Sequence, residues 1–64
     1  MKNYTTAQVN TANEVLRHYV SEAIRFEHEE FQHGKWVFRA IMPHGTYFVI
    51  VGIRGAIIDN GWSA

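Results

Sequence analysis

Apolar residues in the first half of the chain recur in steps of three and four: Val9, Ala12, Leu16, Tyr19, Ala23 and Phe26. Val15, Val20, Ile24 and Phe31 widen that stripe, while Asn10, Glu14, Arg17, Ser21, Arg25, His28 and Gln32 fall on the opposite side. This is the period of an amphipathic helix. Thr5-Thr6-Ala7-Gln8 has the spacing of a capping box, in which the threonine hydroxyl and the glutamine side chain satisfy each other's backbone N–H groups. Gly34 suits the left-handed position just past a helix end. The pattern predicts one long helix from Thr6 to His33; a second capping box, Thr11-Ala12-Asn13-Glu14, offers a later start near Thr11. Such a helix would be about 42 Å long at 1.5 Å per residue. It would overhang the strands that follow and call for something else to lie on.

After Gly34 the period changes. Lys35 to Met42 and Thr46 to Arg54 are rich in β-branched and aromatic residues and flank Pro43-His44-Gly45. A three-residue loop closed by a left-handed Gly45 would pair Met42 with Thr46, Ala40 with Phe48, Phe38 with Ile50 and Trp36 with Gly52. The helix-facing side would then show Trp36, Phe38, Ala40, Met42, Phe48 and Ile50. The other side would show Val37, Ile41, Tyr47, Val49, Val51 and Ile53, interrupted by Lys35 and Arg39, which is too apolar for a wet face. Gly55 permits a reversal into a short strand at Ala56-Ile57-Ile58, with a turn at Asp59-Asn60-Gly61 before Trp62. The run from Tyr47 to Ile53 would invite aggregation on an edge, so it belongs at the centre. The expected fold is a single α+β domain spanning residues 1–64, one long N-terminal helix followed by a three-stranded antiparallel meander.

Composition sharpens the problem of size. A chain of 64 residues is one small domain, and small domains are marginal unless a metal, disulfide or neighbour supports them. There is no cysteine, so neither a disulfide nor a thiolate zinc site can do so. Six basic and six acidic side chains cancel, which points to no polyanionic partner. No leader-like pattern and no apolar stretch near 20 residues occurs, so a soluble, cytoplasmic protein is expected.

Candidate chemistry is sparse. Residues 1–33 carry three basic and five acidic side chains, and residues 34–64 three basic and one acidic. Glu27-His28-Glu29-Glu30-Phe31-Gln32-His33 would place carboxylates at a helix C-terminus, against the macrodipole. That conflict marks Glu27, Glu29, Glu30 and His33 as candidate partner-binding residues, with Lys35 or Arg39 as alternative ion-pair partners. Glu29 and His33 share a helical face, but no third ligand stands at a defined spacing, so no metal is expected. Trp62, near the chain end, is a candidate interface anchor. No phosphate loop, thiol nucleophile or recognisable serine site is present, which argues against an enzyme, and no cofactor is called for.

The surplus of apolar surface leads to one functional expectation: a non-enzymatic protein-binding module, a homodimer that inhibits or adapts a partner by occluding its site. In size and style it is like the accessory proteins of phages and mobile elements. The alternative is sequestration of a nucleotide-like anion at a subunit junction by Trp36, Arg39 and Arg54, with Trp62 as a further candidate. Nucleic-acid binding through Lys35, Arg39 and Arg54 ranks last, because three charges release few counterions.

Overall fold

The computed structural model describes residues 3–63; Met1, Lys2 and Ala64 lie outside them. Helix α1 spans Thr6–Leu16 and runs on into a 3₁₀ turn, Arg17–Tyr19. Four strands follow: β1 (Arg25–Gln32), β2 (Lys35–Met42), β3 (Gly45–Val51) and β4 (Ile57–Ser63). They form one antiparallel sheet in the order β1-β2-β3-β4, with α1 lying across β2 and β3.

The start of α1 follows from local chemistry. Thr5 Oγ1 accepts from the Gln8 backbone N–H at 3.1 Å, and the Thr5 N–H donates to Gln8 Oε1 at 2.8 Å, which completes the capping box. The later start at Thr11 is not used. Gln8 is fully buried, and its amide reaches further. Gln8 Nε2 donates to the carbonyls of Gly34 at 3.0 Å and Val51 at 2.9 Å. One side chain therefore ties the first helical turn to the β1–β2 turn and to the end of β3. Thr11 adds a bond from its hydroxyl to the Gly55 carbonyl at 2.6 Å, pinning the loop that leads to β4.

The long helix to His33 is overturned. Beyond Tyr19 the chain bends, and the Ile24 N–H donates to the Ile41 carbonyl at 2.7 Å, already in the sheet. Residues 25–32 alternate as a strand instead: Phe26 pairs with Ala40, His28 with Phe38 and Glu30 with Trp36. Continued as a helix, this segment would leave the β2 edge without partners. As β1 it satisfies that edge and removes its carboxylates from a helix C-terminus. Gly34 does adopt a positive φ of 79°, but in the β1–β2 turn rather than at a helix end. At 11 residues α1 is about 16 Å long, so it does not overhang its sheet. The case for a partner cannot rest on helix length.

The expected hairpin register is wrong by one residue. Pro43-His44 alone closes the β2–β3 turn and Gly45 already pairs with Met42, without a positive φ. Trp36 therefore meets Val51, Phe38 meets Val49 and Ala40 meets Tyr47. A slip of one residue turns every side chain of a strand over. The helix-facing core accordingly holds Trp36, Phe38, Ala40 and Met42, as expected from β2, but Val49 and Val51 from β3 rather than Phe48 and Ile50. Ala12 and Leu16 of α1 complete it. The last strand also differs. Ile57–Ser63 runs straight through Asp59-Asn60-Gly61, because Ile50, Val49 and Phe48 pair with those three residues in turn. The expected meander of three strands is thus a meander of four, with the apolar run of β3 inside it.

Two stability predictions follow. Replacing Gln8 by Ala removes the donor to one buried and one partly buried carbonyl and breaks the capping box, at about 2–4 kcal/mol. Total stability for this length is about 3–10 kcal/mol, so urea unfolding of Gln8→Ala will register a large loss; a change below about 0.5 kcal/mol would refute the anchoring role. Gly55 has φ 89°, and an added Cβ would lie 3.1 Å from both Ala7 Cβ and the Ala7 carbonyl oxygen. Gly55→Ala will cost about 1–3 kcal/mol by the same measurement.

Candidate functional site

Alternation along the strands gives the sheet two unlike faces. The face under α1 is the core. The opposite, open face carries Lys35, Val37, Arg39 and Ile41 from β2, with Thr46, Phe48 and Ile50 from β3. Arg25, Glu27 and Glu29 flank it on β1, and Asp59 and Ser63 on β4. Phe31 joins them at an irregularity in the β1–β2 register. No helix or strand among the described residues lies over this face. Val37 and Ile50 are buried all the same, beneath a shallow concavity of about 350 Å³ lined by Phe31, Arg39, Phe48, Asp59 and Ser63. Phe31 is 53% exposed.

Four of the six charged side chains on the open face pair with each other, while Lys35 and Asp59 form no ion pair among the described residues. Arg39 Nη1 lies 2.7 Å from Glu29 Oε1, and Arg25 Nε lies 2.7 Å from Glu27 Oε2. Both pairs are solvent-accessible and contribute at most about 1 kcal/mol each. Their effect is chemical rather than energetic. They leave an apolar strip bordered by ion pairs, with little charge to spare.

A second uncovered surface lies on the helix side. A helix is about 10 Å across and strands are about 4.8 Å apart, so one helix roofs about two strands. Centred on β2 and β3, α1 leaves a half-open groove of about 370 Å³ beside β1. Val9, Leu16 and Val20 form one wall, Phe26 and His28 the other, and Phe38 part of the floor. Tyr4 stands over the groove, its ring edge-on to His28 at 5.1 Å and to Trp36 at 5.1 Å.

The sequence-derived candidates are dispersed. Glu27 and Glu29 sit on the open face and are paired. Glu30 is on the helix side, where its Oε2 accepts from the Gly34 N–H at 3.1 Å. His33 is exposed in the β1–β2 turn, and Trp62 is three strands away on β4. These five residues do not form one patch. Of the anion-binding set, Trp36 is buried in the core, Arg39 is on the open face and Arg54 is in the exposed β3–β4 loop. They do not converge within a chain. Among the described residues no group of three or more His, Asp or Glu could hold a metal ion. No helix among the described residues is long and apolar enough to cross a membrane.

Trp62 has an internal explanation. Its ring lies edge-on to Tyr47 at 5.3 Å and to Tyr19 at 5.5 Å, and tilted over His44 at 5.5 Å. It also covers Gly45, whose missing Cβ would stand 3.6 Å from Trp62 Cε3. An aromatic ring lying over a cross-strand glycine shields the bare backbone there. The residues missed by sequence reasoning are Phe31, Phe48 and Ile50 on the open face, and Val20 and Phe26 at the groove. The strand-like alternation of Phe26, His28 and Glu30 was the available signal for the latter.

No protein-family model, no curated protein and no solved structure matches this chain.

If Trp62 is an internal pillar, Trp62→Ala will lower stability by about 1–2 kcal/mol, the value of a half-buried aromatic cluster. Hydrogen exchange will show the amides of β4 opening first. Unchanged stability and protection would return Trp62 to the role of a pure interface anchor.

Proposed function

We propose that this chain is a non-enzymatic protein-binding module that works as a homodimer and occludes a surface of another protein. The observation that carries the reading is the open sheet face: an apolar strip across β2 and β3 with no covering element. A second copy is the occupant that suits it. The face is net neutral, Arg25, Lys35 and Arg39 against Glu27, Glu29 and Asp59, so an identical face brings no net charge into contact. Its size sets how tight the pairing can be. Four strands of about seven residues outline roughly 19 by 24 Å, so two copies stacked face to face would bury on the order of 900 Å² as flat area. That is below the standard specific interface of about 1,200–2,000 Å² and corresponds to a weak, transient association. The two copies would leave their helix sides outward, free to meet a partner.

Light scattering across a dilution series tests this reading. The expected result is a dimer mass at tens of micromolar that falls toward the monomer on dilution. Phe48→Glu will abolish the dimer while the circular dichroism spectrum is retained. A monomer at every concentration would reject the homodimer.

A further inference from the structure

We infer that the groove between α1 and β1 binds a small alkyl carboxylate of medium chain length, such as octanoate, its tail along Val9, Leu16 and Phe26 and its head group on Arg17. The site lies on the helix side, apart from the open sheet face, and goes beyond the protein-binding reading above.

The shape of the groove restricts its occupant. With α1 over β2 and β3, the free lane above β1 is one strand spacing wide, about 4.8 Å. Carbon atoms in contact stand about 3.5–4.0 Å apart, so the lane takes a single row of methylenes; an α-helix, about 10 Å across, does not fit. Tyr4 closes the end near the start of α1, where its ring meets His28 and Trp36 at 5.1 Å. The other end, beside Arg17, is open: Val20 is 60% and Phe26 49% exposed there. From Val9 to Leu16 the helix rises about 10 Å. An extended chain of about eight carbons covers the same length, at about 1.25 Å per carbon for bonds of about 1.52 Å at tetrahedral angles. The volume of about 370 Å³ is at the small end of ligand pockets, which run from about 300 to 1,000 Å³.

Charge selects the head group. The charged residues lining the groove are Arg17, Glu27 and Arg39. Glu27 is engaged by Arg25 and Arg39 by Glu29, each at 2.7 Å. Arg17 differs from them. Its ion-pair partner, Glu14, lies 3.8 Å away, beyond hydrogen-bond distance, and both side chains are largely exposed. The guanidinium fork is therefore available to an incoming carboxylate, which it can hold through two parallel hydrogen bonds. Asn13, four residues earlier on the same helix, lines the groove as well and adds an amide donor. An ammonium head would meet Arg17 as a like charge. The half-open form suits a ligand of this kind, because the tail is covered while the head group stays in water.

Chemical-shift titration of the full chain with octanoate, hexanoate and octylammonium tests the site. Octanoate will move the amides of Val9, Arg17, Val20 and Phe26 and leave those of Phe48 and Ile50 in place. It will bind about fourfold tighter than hexanoate, the effect of two half-covered methylenes, and about fivefold tighter than octylammonium, the scale of an exposed ion pair. Arg17→Gln will erase the head-group preference and keep the dependence on chain length. Phe26→Thr, which suits a strand, will weaken octanoate about fivefold without changing any charge. Val20→Ser supplies the same comparison from the helix wall, should Phe26→Thr fail to fold, and Ile53→Gln, in the β3–β4 loop, will change nothing. Equal affinity for octanoate and octylammonium, no dependence on chain length, shifts confined to the open face, or no binding at millimolar octanoate would overturn the inference. Phe48→Glu separates it from the homodimer: the variant will lose the dimer mass and keep octanoate binding.

Discussion

The side-chain amide of Gln8 fixes the geometry on which the remaining structure depends. Its oxygen closes the cap of α1, and its nitrogen donates to the Gly34 and Val51 carbonyls from a fully buried site. An unsatisfied amide or carbonyl there would cost on the order of 1–3 kcal/mol, so the helix start has one favourable position over the sheet. Thr5 and Thr11 hold the loop after β3 from the same helix, through the carbonyls of Ile53 and Gly55. The only α-helix among the described residues is therefore committed to one face of the sheet, over β2 and β3.

That commitment produces both uncovered surfaces. One helix cannot roof four strands, which leaves the lane along β1 open. Nor can it serve both faces, which leaves the strip of Val37, Phe48 and Ile50 under nothing but the rings and stems of its neighbours. The chain manages its edges at the same time. The run from Tyr47 to Val51, dangerous if exposed, is enclosed between β2 and β4. The outer strand β1 carries Arg25, Glu27, Glu29 and Glu30, charges that discourage pairing edge to edge.

Sequence alone disclosed the parts governed by local chemistry. The Thr5–Gln8 box was legible because capping is set within four residues. The inward row of Trp36, Phe38, Ala40 and Met42 was legible because alternation within a strand needs no knowledge of its neighbours. What failed was decided by pairing. Residues 25–32 place apolar side chains compatibly with either period, and the free edge of β2 selected the strand. The β2–β3 register turned on whether Gly45 belongs to the loop or to the ladder, a difference of one residue that reversed the faces of β3. Asp59-Asn60-Gly61 has turn composition, but three partners on β3 hold it extended. The same errors scattered the candidate site, since an acidic helix end does not exist once that segment is a strand.

The account stands on a second copy covering the strip that the pinned helix cannot reach. Isotope-filtered nuclear Overhauser spectroscopy on an equal mixture of labelled and unlabelled chains examines that contact atom by atom. Cross-copy signals between the Phe48 ring and the methyl groups of Val37, Ile41 or Ile50 are the predicted result. Their absence at concentrations above the association midpoint, or cross-copy signals arising only from the helix side, would contradict it.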